Sequence, residues 1–231
     1  MGSPSHFSGF LAQNSFISLL ILLRNRSNDY MNSDKRKELI SEQTVMLIKP
    51  DGVKRGLIGE CIRRIEQRGL KVIALKMIVA SQEQARKHYP GTETWLRTMG
   101  QKTLDTYAKY NKDPLKDLGT DDTLKIGDKI YDWNVELFTS GPIVAILISG
   151  IHAIDMVRKI VGKTFPAFAE MGTIRGDYSV DSPALANEAQ RAVRNVVHAS
   201  GDPIEATHEV THWFAPQEIH DYTRSEEDVM F

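Results

Sequence analysis

The run Ile143-Val144-Ala145-Ile146-Leu147-Ile148 contains no polar side chain and is entered through Gly141-Pro142. Six apolar residues bounded by turn formers are too short for an ordinary buried helix and suit a strand covered on both faces, so the run reads as a central strand. A second run, Thr44-Val45-Met46-Leu47-Ile48-Lys49, stops at Pro50-Asp51-Gly52, as a strand entering a turn does. Ile58, Cys61, Ile62 and Ile65 then recur at i, i+3, i+4 and i+7, one apolar face of a helix, with Gly69 where that helix would stop. Leu70 to Val79 reads as another strand, apolar enough to be buried on both faces.

After the central strand, Ile154, Val157 and Val161 mark a helix closed by Gly162, and Asn195-Val196-Val197-His198 is a short strand candidate. Asp202-Pro203 opens a last helix, with Asp as N-cap, Pro at the first helical position and Glu205 three residues past the cap. Ala206, Val210, Trp213 and Phe214 form its buried stripe. The order is β-α-β, an irregular middle, then β-α-β-α. Two split β-α-β units imply an α+β fold: a ferredoxin-like βαββαβ sandwich with an antiparallel sheet.

The middle, residues 90–139, is polar and turn-rich, with helical stretches around Trp95–Tyr110. It reads as an inserted helical and loop segment without enough apolar residues for a core of its own. Residues 41–231 are expected to form one domain, and residues 1–40 a leader or poorly ordered N-terminal segment. Phe10 to Leu23 is the nearest approach to a membrane span, but it falls short of the ~18 apolar residues required. No Lys or Arg precedes it, and Arg24-Asn25-Arg26 follows in place of a small-residue cleavage site. Residues 1–30 therefore read as upstream translation, a leader or a targeting peptide.

With 29 Lys plus Arg against 30 Asp plus Glu, the net charge is -1. That balance argues against a nucleic-acid binder relying on bulk positive charge and leaves room for a local basic pocket. Cys61 is the single cysteine, which rules out an intrachain disulfide framework and a multi-cysteine zinc site, and suits a reducing compartment.

Three short patterns resemble known sites. His208-Glu209-Val210-Thr211-His212 matches H-E-x-x-H on a predicted helix, but no glycine-turn-histidine continuation supplies a third ligand. The two histidines read as surface residues of an amphipathic helix. Gly162-Lys163-Thr164 looks like the end of a phosphate loop, yet Val157 stands where the first glycine belongs. Arg175-Gly176-Asp177 reads as a coincidental tripeptide.

A dispersed set remains. Lys49 ends a strand, where its ammonium can meet an anion, and Arg158, Thr164 and Arg175 add two guanidinium forks and a hydroxyl suited to phosphate oxygens. His198 ends a predicted strand, flanked by Asn195 and Ser200.

The blocks Thr44–Gly69, Gly141–Tyr178 and Arg194–Tyr222 closely resemble the nucleoside diphosphate kinase family. The resemblance is carried by Ile48-Lys49-Pro50-Asp51-Gly52-Val53, Gly172-Thr173-Ile174-Arg175-Gly176-Asp177 and Asn195-Val196-Val197-His198-Ala199-Ser200, in that order. It implies transfer of the γ-phosphoryl group from a nucleoside triphosphate such as ATP to a nucleoside diphosphate, by a ping-pong route through a pros-phosphohistidine at His198, in the service of NTP and dNTP pools. Lys49 and Tyr89 match residues that reach the transferred group. Arg158, Thr164 and Arg175 match those holding the other phosphates, and Asn195 matches the ribose contact beside Lys49. Glu209 and Ser200 match the pair supporting the histidine. Mg²⁺ would be held mainly by nucleotide phosphates, with no metal ligand from protein side chains. The family further implies NTP and NDP partners, a homo-oligomer with a hexamer favoured over a tetramer or dimer, no nucleic acid or membrane, and a cytoplasmic location, with organelle targeting through residues 1–30 as the alternative. Loss of His198 or Arg175 would have pointed to a non-catalytic relative, and neither is lost.

The chain departs from the family in three places. Gly201 separates Ser200 from Asp202, where the family commonly has Asp directly after the serine; an intact helix register would move the cap by one residue. The Tyr89-to-Gly141 connection is longer than the family's, and Trp95 is the candidate there for stacking on the base. Residues 179–193 form a second insertion before the catalytic strand.

Overall fold

The structure, a computed structural model, describes residues 41–230; the expected leader lies outside the described residues. The chain runs through β1 (Gln43–Ile48), α1 (Pro50–Lys54), α2 (Ile58–Gln67), β2 (Lys71–Ile78), α3 (Gln82–His88), α4 (Glu93–Lys109), α5 (Pro114–Leu118) and α6 (Thr123–Thr139). It continues through β3 (Ile143–Ser149), α7 (Ala153–Val161), α8 (Ile174–Tyr178), α9 (Pro183–Glu188), β4 (Val197–Ala199), α10 (Pro203–Trp213) and α11 (Glu227–Met230). The four strands form one sheet in the order β2-β3-β1-β4, every neighbouring pair antiparallel. This is the expected α+β, ferredoxin-like arrangement.

Period-2 alternation divides the core between two faces of the sheet. Met46, Ile48, Val144, Ile146 and Ile148 pack under α2 and α7, with Cys61, Ile65, Val157 and Val161. Val45, Leu47, Ile143, Ala145 and Leu147 face the other way, against Phe138 of α6 and Trp213 of α10. β3 is buried along its whole length, as its unbroken apolar run requires.

Two expectations are corrected. The strand drawn from Leu70 to Val79 lies at the sheet edge and is not covered on both faces: Leu75, Met77 and Val79 are exposed. Their common face runs past the cover that α2 gives to Leu70 and Val72. The middle segment is largely helical and does own a small core, in which Tyr107, Leu118 and Ile126 pack with Leu104, Ile130 and Trp133. Its helices pack with few large apolar residues because glycines bring the backbones together. A Cβ on Gly100 would strike the Thr123 carbonyl, and one on Gly127 the Leu96 carbonyl. Contact made through backbone leaves a faint apolar period in the sequence.

Candidate active site

β1 delivers Lys49 to the N-terminus of α1, and the turn that follows holds a distant segment in place. The Lys49 amide donates to the Val196 carbonyl at 2.9 Å, and the Val196 amide donates to Asp51 Oδ2 at 2.9 Å. Gly52 permits this approach, since a Cβ there would lie 2.8 Å from the Val196 carbonyl oxygen. Val196 has φ +69°, a left-handed value costly for a β-branched residue. The Val197 amide donates to the Asn195 carbonyl at 2.7 Å, closing a three-residue turn. β4 leaves that turn to pair with β1, His198 opposite Leu47, which places its imidazole on the Trp213 side of the sheet.

His198 Nε2 lies 2.7 Å from Oε1 of the buried Glu209 on α10. Glu209 Oε2 accepts from Ser200 Oγ at 2.8 Å, and Ser200 Oγ accepts from the Val45 amide at 3.2 Å. A carboxylate can only accept, so the proton of the neutral ring sits on Nε2, and Nδ1 makes no hydrogen bond among the described residues. Burial lowers the His198 pKa to about 3, with Arg175, Lys49 and Arg158 adding to the effect against Glu205. The ring is therefore neutral at neutral pH. Burial raises the Glu209 pKa, opposed chiefly by His88.

Arg175 is equally fixed. Arg175 donates from Nη1 to the Gly162 carbonyl at 2.7 Å and from Nη2 to the Val197 carbonyl at 2.8 Å, while its buried Nε has no partner among the described residues. Burial, then Arg158, lowers its pKa to about 10. Lys49 is buried, and burial lowers its pKa to about 8, Arg175 adding while Asp51 and Asp181 oppose. Arg158 is exposed and makes no ion pair among the described residues. Lys49 and Arg175, buried without an ion pair among the described residues, are cations that an anion would complete.

Asn195 donates from Nδ2 to the Thr164 carbonyl at 2.8 Å, leaving its Oδ1 buried and without a partner among the described residues. Lys49, Thr164 and Asn195 line one pocket of about 90 Å³ together with residues of α4, α6 and the 179–193 segment. Tyr89 is half-buried among His88, Trp95, Tyr131 and Phe138, and burial raises its pKa. Trp95 packs on Tyr89 and Tyr131 and is not among the residues lining that pocket.

The other sequence patterns acquire structural explanations. His208 and His212 meet the Lys87 and Gln84 carbonyls of α3, each through Nε2 at 2.9 Å, while Glu209 between them points to His198. Asp177 accepts from the Gly172 amide at 2.7 Å and from Arg64 Nη2 at 2.6 Å, bracing the loop that carries Arg175. Asp202 accepts from the Ile204 and Glu205 amides, so the helix cap has moved by one residue and is intact, and Gly201 donates to Glu205 Oε2.

Sequence reasoning missed the positioning roles of Asp51, Gly52 and Val196. It also missed His88, whose Nδ1 accepts from Trp213 Nε1 at 3.3 Å and whose ring meets His198 edge to face at 4.4 Å. His88, His198 and Glu209 have ligand atoms within 4.8 Å of one another, but those atoms already bind one another and Trp213.

The family model described as nucleoside diphosphate kinase matches residues 42–95 and 124–219. The chain is 49% identical over 178 residues to the nucleoside diphosphate kinase of Pyrobaculum aerophilum, covering 77% of this chain and 97% of the relative. A crystal structure of an NDP kinase from that organism aligns with a TM-score of 0.76 at 46% identity, covering 78% of this chain and 100% of the other. A Borrelia burgdorferi nucleoside-diphosphate kinase, solved as a transition state mimic with bound vanadate and ADP, aligns with a TM-score of 0.65 at 31% identity, covering 81% and 95%. Fold, site and relatives together define an α+β phosphotransferase. The chain belongs to the nucleoside diphosphate kinase family.

Proposed function

We propose that this chain moves the γ-phosphoryl group of a nucleoside triphosphate, ATP among them, to a nucleoside diphosphate in two displacements at His198. The observation that carries this reading is the neutral imidazole with its Nδ1 lone pair unengaged beside Lys49, Arg158 and Arg175. In the first displacement Nδ1 attacks the γ-phosphorus, the bond to the β,γ-bridging oxygen breaks, and the diphosphate leaves with that electron pair. In the second, a β-phosphate oxygen of the acceptor attacks, and the P–N bond returns its pair to Nδ1. No net proton moves. Glu209 keeps the proton on Nε2 and steadies the imidazolium character that develops when Nδ1 forms its bond, with Ser200 orienting the carboxylate. Lys49, Arg158, Thr164, Arg175 and Tyr89 are assigned to the phosphate oxygens, where fixed donors stabilise spread negative charge. Asn195 Oδ1, buried and free, suits a ribose hydroxyl.

A divalent cation, taken as Mg²⁺, fits this site as a guest of the phosphates. Nearby carboxylates are already engaged: Asp51 with the Val196 amide, Glu205 with the Gly201 amide, and Glu209 with His198 and Ser200. When bound, the ion supplies charge neutralisation on the β- and γ-oxygens.

The same reading includes maintenance of NTP and dNTP pools, a cytoplasmic location and a homo-oligomer, a hexamer first. Support for self-association comes from Leu75, Met77 and Val79, an exposed apolar row on the open sheet edge. Among the described residues no helix is long and apolar enough to cross a membrane.

Incubation with γ-labelled ATP and Mg²⁺, followed by a GDP chase, tests the reaction. Alkali-stable, acid-labile label that moves to GTP is expected from the wild-type chain and not from His198→Ala. Equal transfer by that variant would remove His198 from the reaction.

A further inference from the structure

The pocket that contains Lys49, Thr164 and Asn195 is completed by a residue from the second insertion, Asn187 of α9. Asn187 is only 3% exposed. Its Nδ2 is buried without a hydrogen-bond partner, and its side chain makes no hydrogen bond among the described residues. A buried primary amide left in this state is rare in folded proteins, because a desolvated donor forfeits its bonds to water without replacement. Neighbouring polar groups of the insertion are, by contrast, fully used. Asp181 accepts two bonds from Arg191 and one each from the Arg194 and Ser182 amides, and Ser182 caps α9 through the Leu185 amide. α9 also abuts α4 and α5, so Asn187 is held on a braced element. The free amide is a local exception in an otherwise satisfied segment.

We propose that Asn187 donates a hydrogen bond to an acceptor on the nucleobase edge and makes nucleotide binding depend on the base. This rests on the phosphotransfer reading given above. Two residues lining the pocket carry buried polar atoms of opposite kind without a partner among the described residues. Asn195 Oδ1 is an acceptor and needs a donor such as a ribose hydroxyl, whereas Asn187 Nδ2 is a donor and needs an acceptor such as a ring nitrogen or carbonyl of a base. Apolar surface for a planar base comes from Met99, Ile130, Pro183 and Ala192 in the same pocket. Both insertions therefore meet at the base, with α4 and α6 on one side and α9 on the other.

The test compares kcat and KM of the second half-reaction, the discharge of isolated phosphoenzyme by ADP, GDP, CDP, UDP and dADP, in wild type, Asn187→Leu and Asn187→Asp, alongside labelling at His198 and thermal unfolding. Loss of one hydrogen bond is expected to raise KM about 5- to 10-fold for the base or bases it serves, at similar kcat. Relative kcat/KM values among the four bases should draw together in Asn187→Leu. Asn187→Asp, which sets an acceptor against an acceptor, should penalise the same bases more heavily. A base profile identical to wild type, a uniform loss over all bases, or a change confined to ADP against dADP would overturn the proposal, the last assigning Asn187 to the 2′-hydroxyl. A wild-type chain that takes no label at His198 would instead overturn the phosphotransfer reading.

Discussion

The Val196 amide donates to the carboxylate of Asp51 at 2.9 Å, joining the turn after β1 to the turn that launches the strand carrying His198. Val196 carries φ +69°, a conformation its branched side chain resists, and it is gripped on the other side by the Lys49 amide. A strained turn persists only where its surroundings over-determine it. The reward is a fixed exit direction for β4, and hence for the His198 imidazole.

Removal of that grip should act on chemistry through position. Asp51→Ala is expected to lower kcat/KM by about 10- to 100-fold, because misplacement by about 1 Å is enough for such a loss. The orphaned Val196 amide should also cost stability of about 1–3 kcal/mol. Steady-state kinetics and thermal unfolding check both, and unchanged kinetics would show that the turn holds without Asp51.

Glu209→Gln keeps the shape of the support but places an amide where two donors, His198 Nε2–H and Ser200 Oγ–H, expect acceptors. Phosphoenzyme formation should slow by about 10- to 100-fold, in line with losing the partner that orients the His198 imidazole in the proposed reaction. Rapid-quench labelling reads the step directly. A rate within about 2-fold of wild type would leave Glu209 without a positioning role.

The pH behaviour should be asymmetric. His198, with a pKa lowered to about 3, stays neutral and competent as pH falls to 5, so its ring resonances should hold one neutral tautomer across that range by NMR. Lys49, lowered to about 8, loses its positive charge as pH rises through that value, and kcat/KM in the free enzyme should decline on the alkaline side. Lys49→Arg, which does not titrate there, should lack that decline. An imidazole titrating near 6.5 would contradict the burial assigned to His198.

The α4–α6 crossing gives a prediction about folding alone. Gly127→Ala places a Cβ against the Leu96 carbonyl, where backbone and not a flexible side chain must yield. A loss of about 1–3 kcal/mol is expected, as for other overpacked contacts. That should lower Tm by roughly 2–4 °C per kcal/mol for a chain of this size. An unchanged Tm would mean that the two helices separate freely.

The strands, most helices and the caps were legible because each follows from a local rule. Ile143–Ile148 carries its own burial pattern, and Asp202-Pro203 its own cap. The edge position of β2 was not legible, since Leu75 and Met77 look like core residues until strand order leaves them uncovered. The helical middle was faint because Gly100 and Gly127 pack by backbone, which thins the apolar stripe that Ile126, Ile130 and Trp133 would otherwise make plain. The motif blocks brought Lys49, Arg175, Asn195 and His198 forward as candidates. His88 and the hold of Asp51 on Val196 went unread, since a histidine inside a core and a contact between distant turns have no periodic signature.

By itself the sequence determined the β-α-β order, the antiparallel α+β class and the inventory of phosphate-suited side chains, because apolar period, turn chemistry and side-chain chemistry are all written locally. Tertiary structure alone decided which of those groups meet and in what state. The proton on His198 Nε2, the lowered pKa values of Lys49 and Arg175, and the free amide of Asn187 all arise from burial and from partners far away in the chain. Desolvation and hydrogen-bond geometry depend on what surrounds a group in space, and no local pattern of residues encodes that.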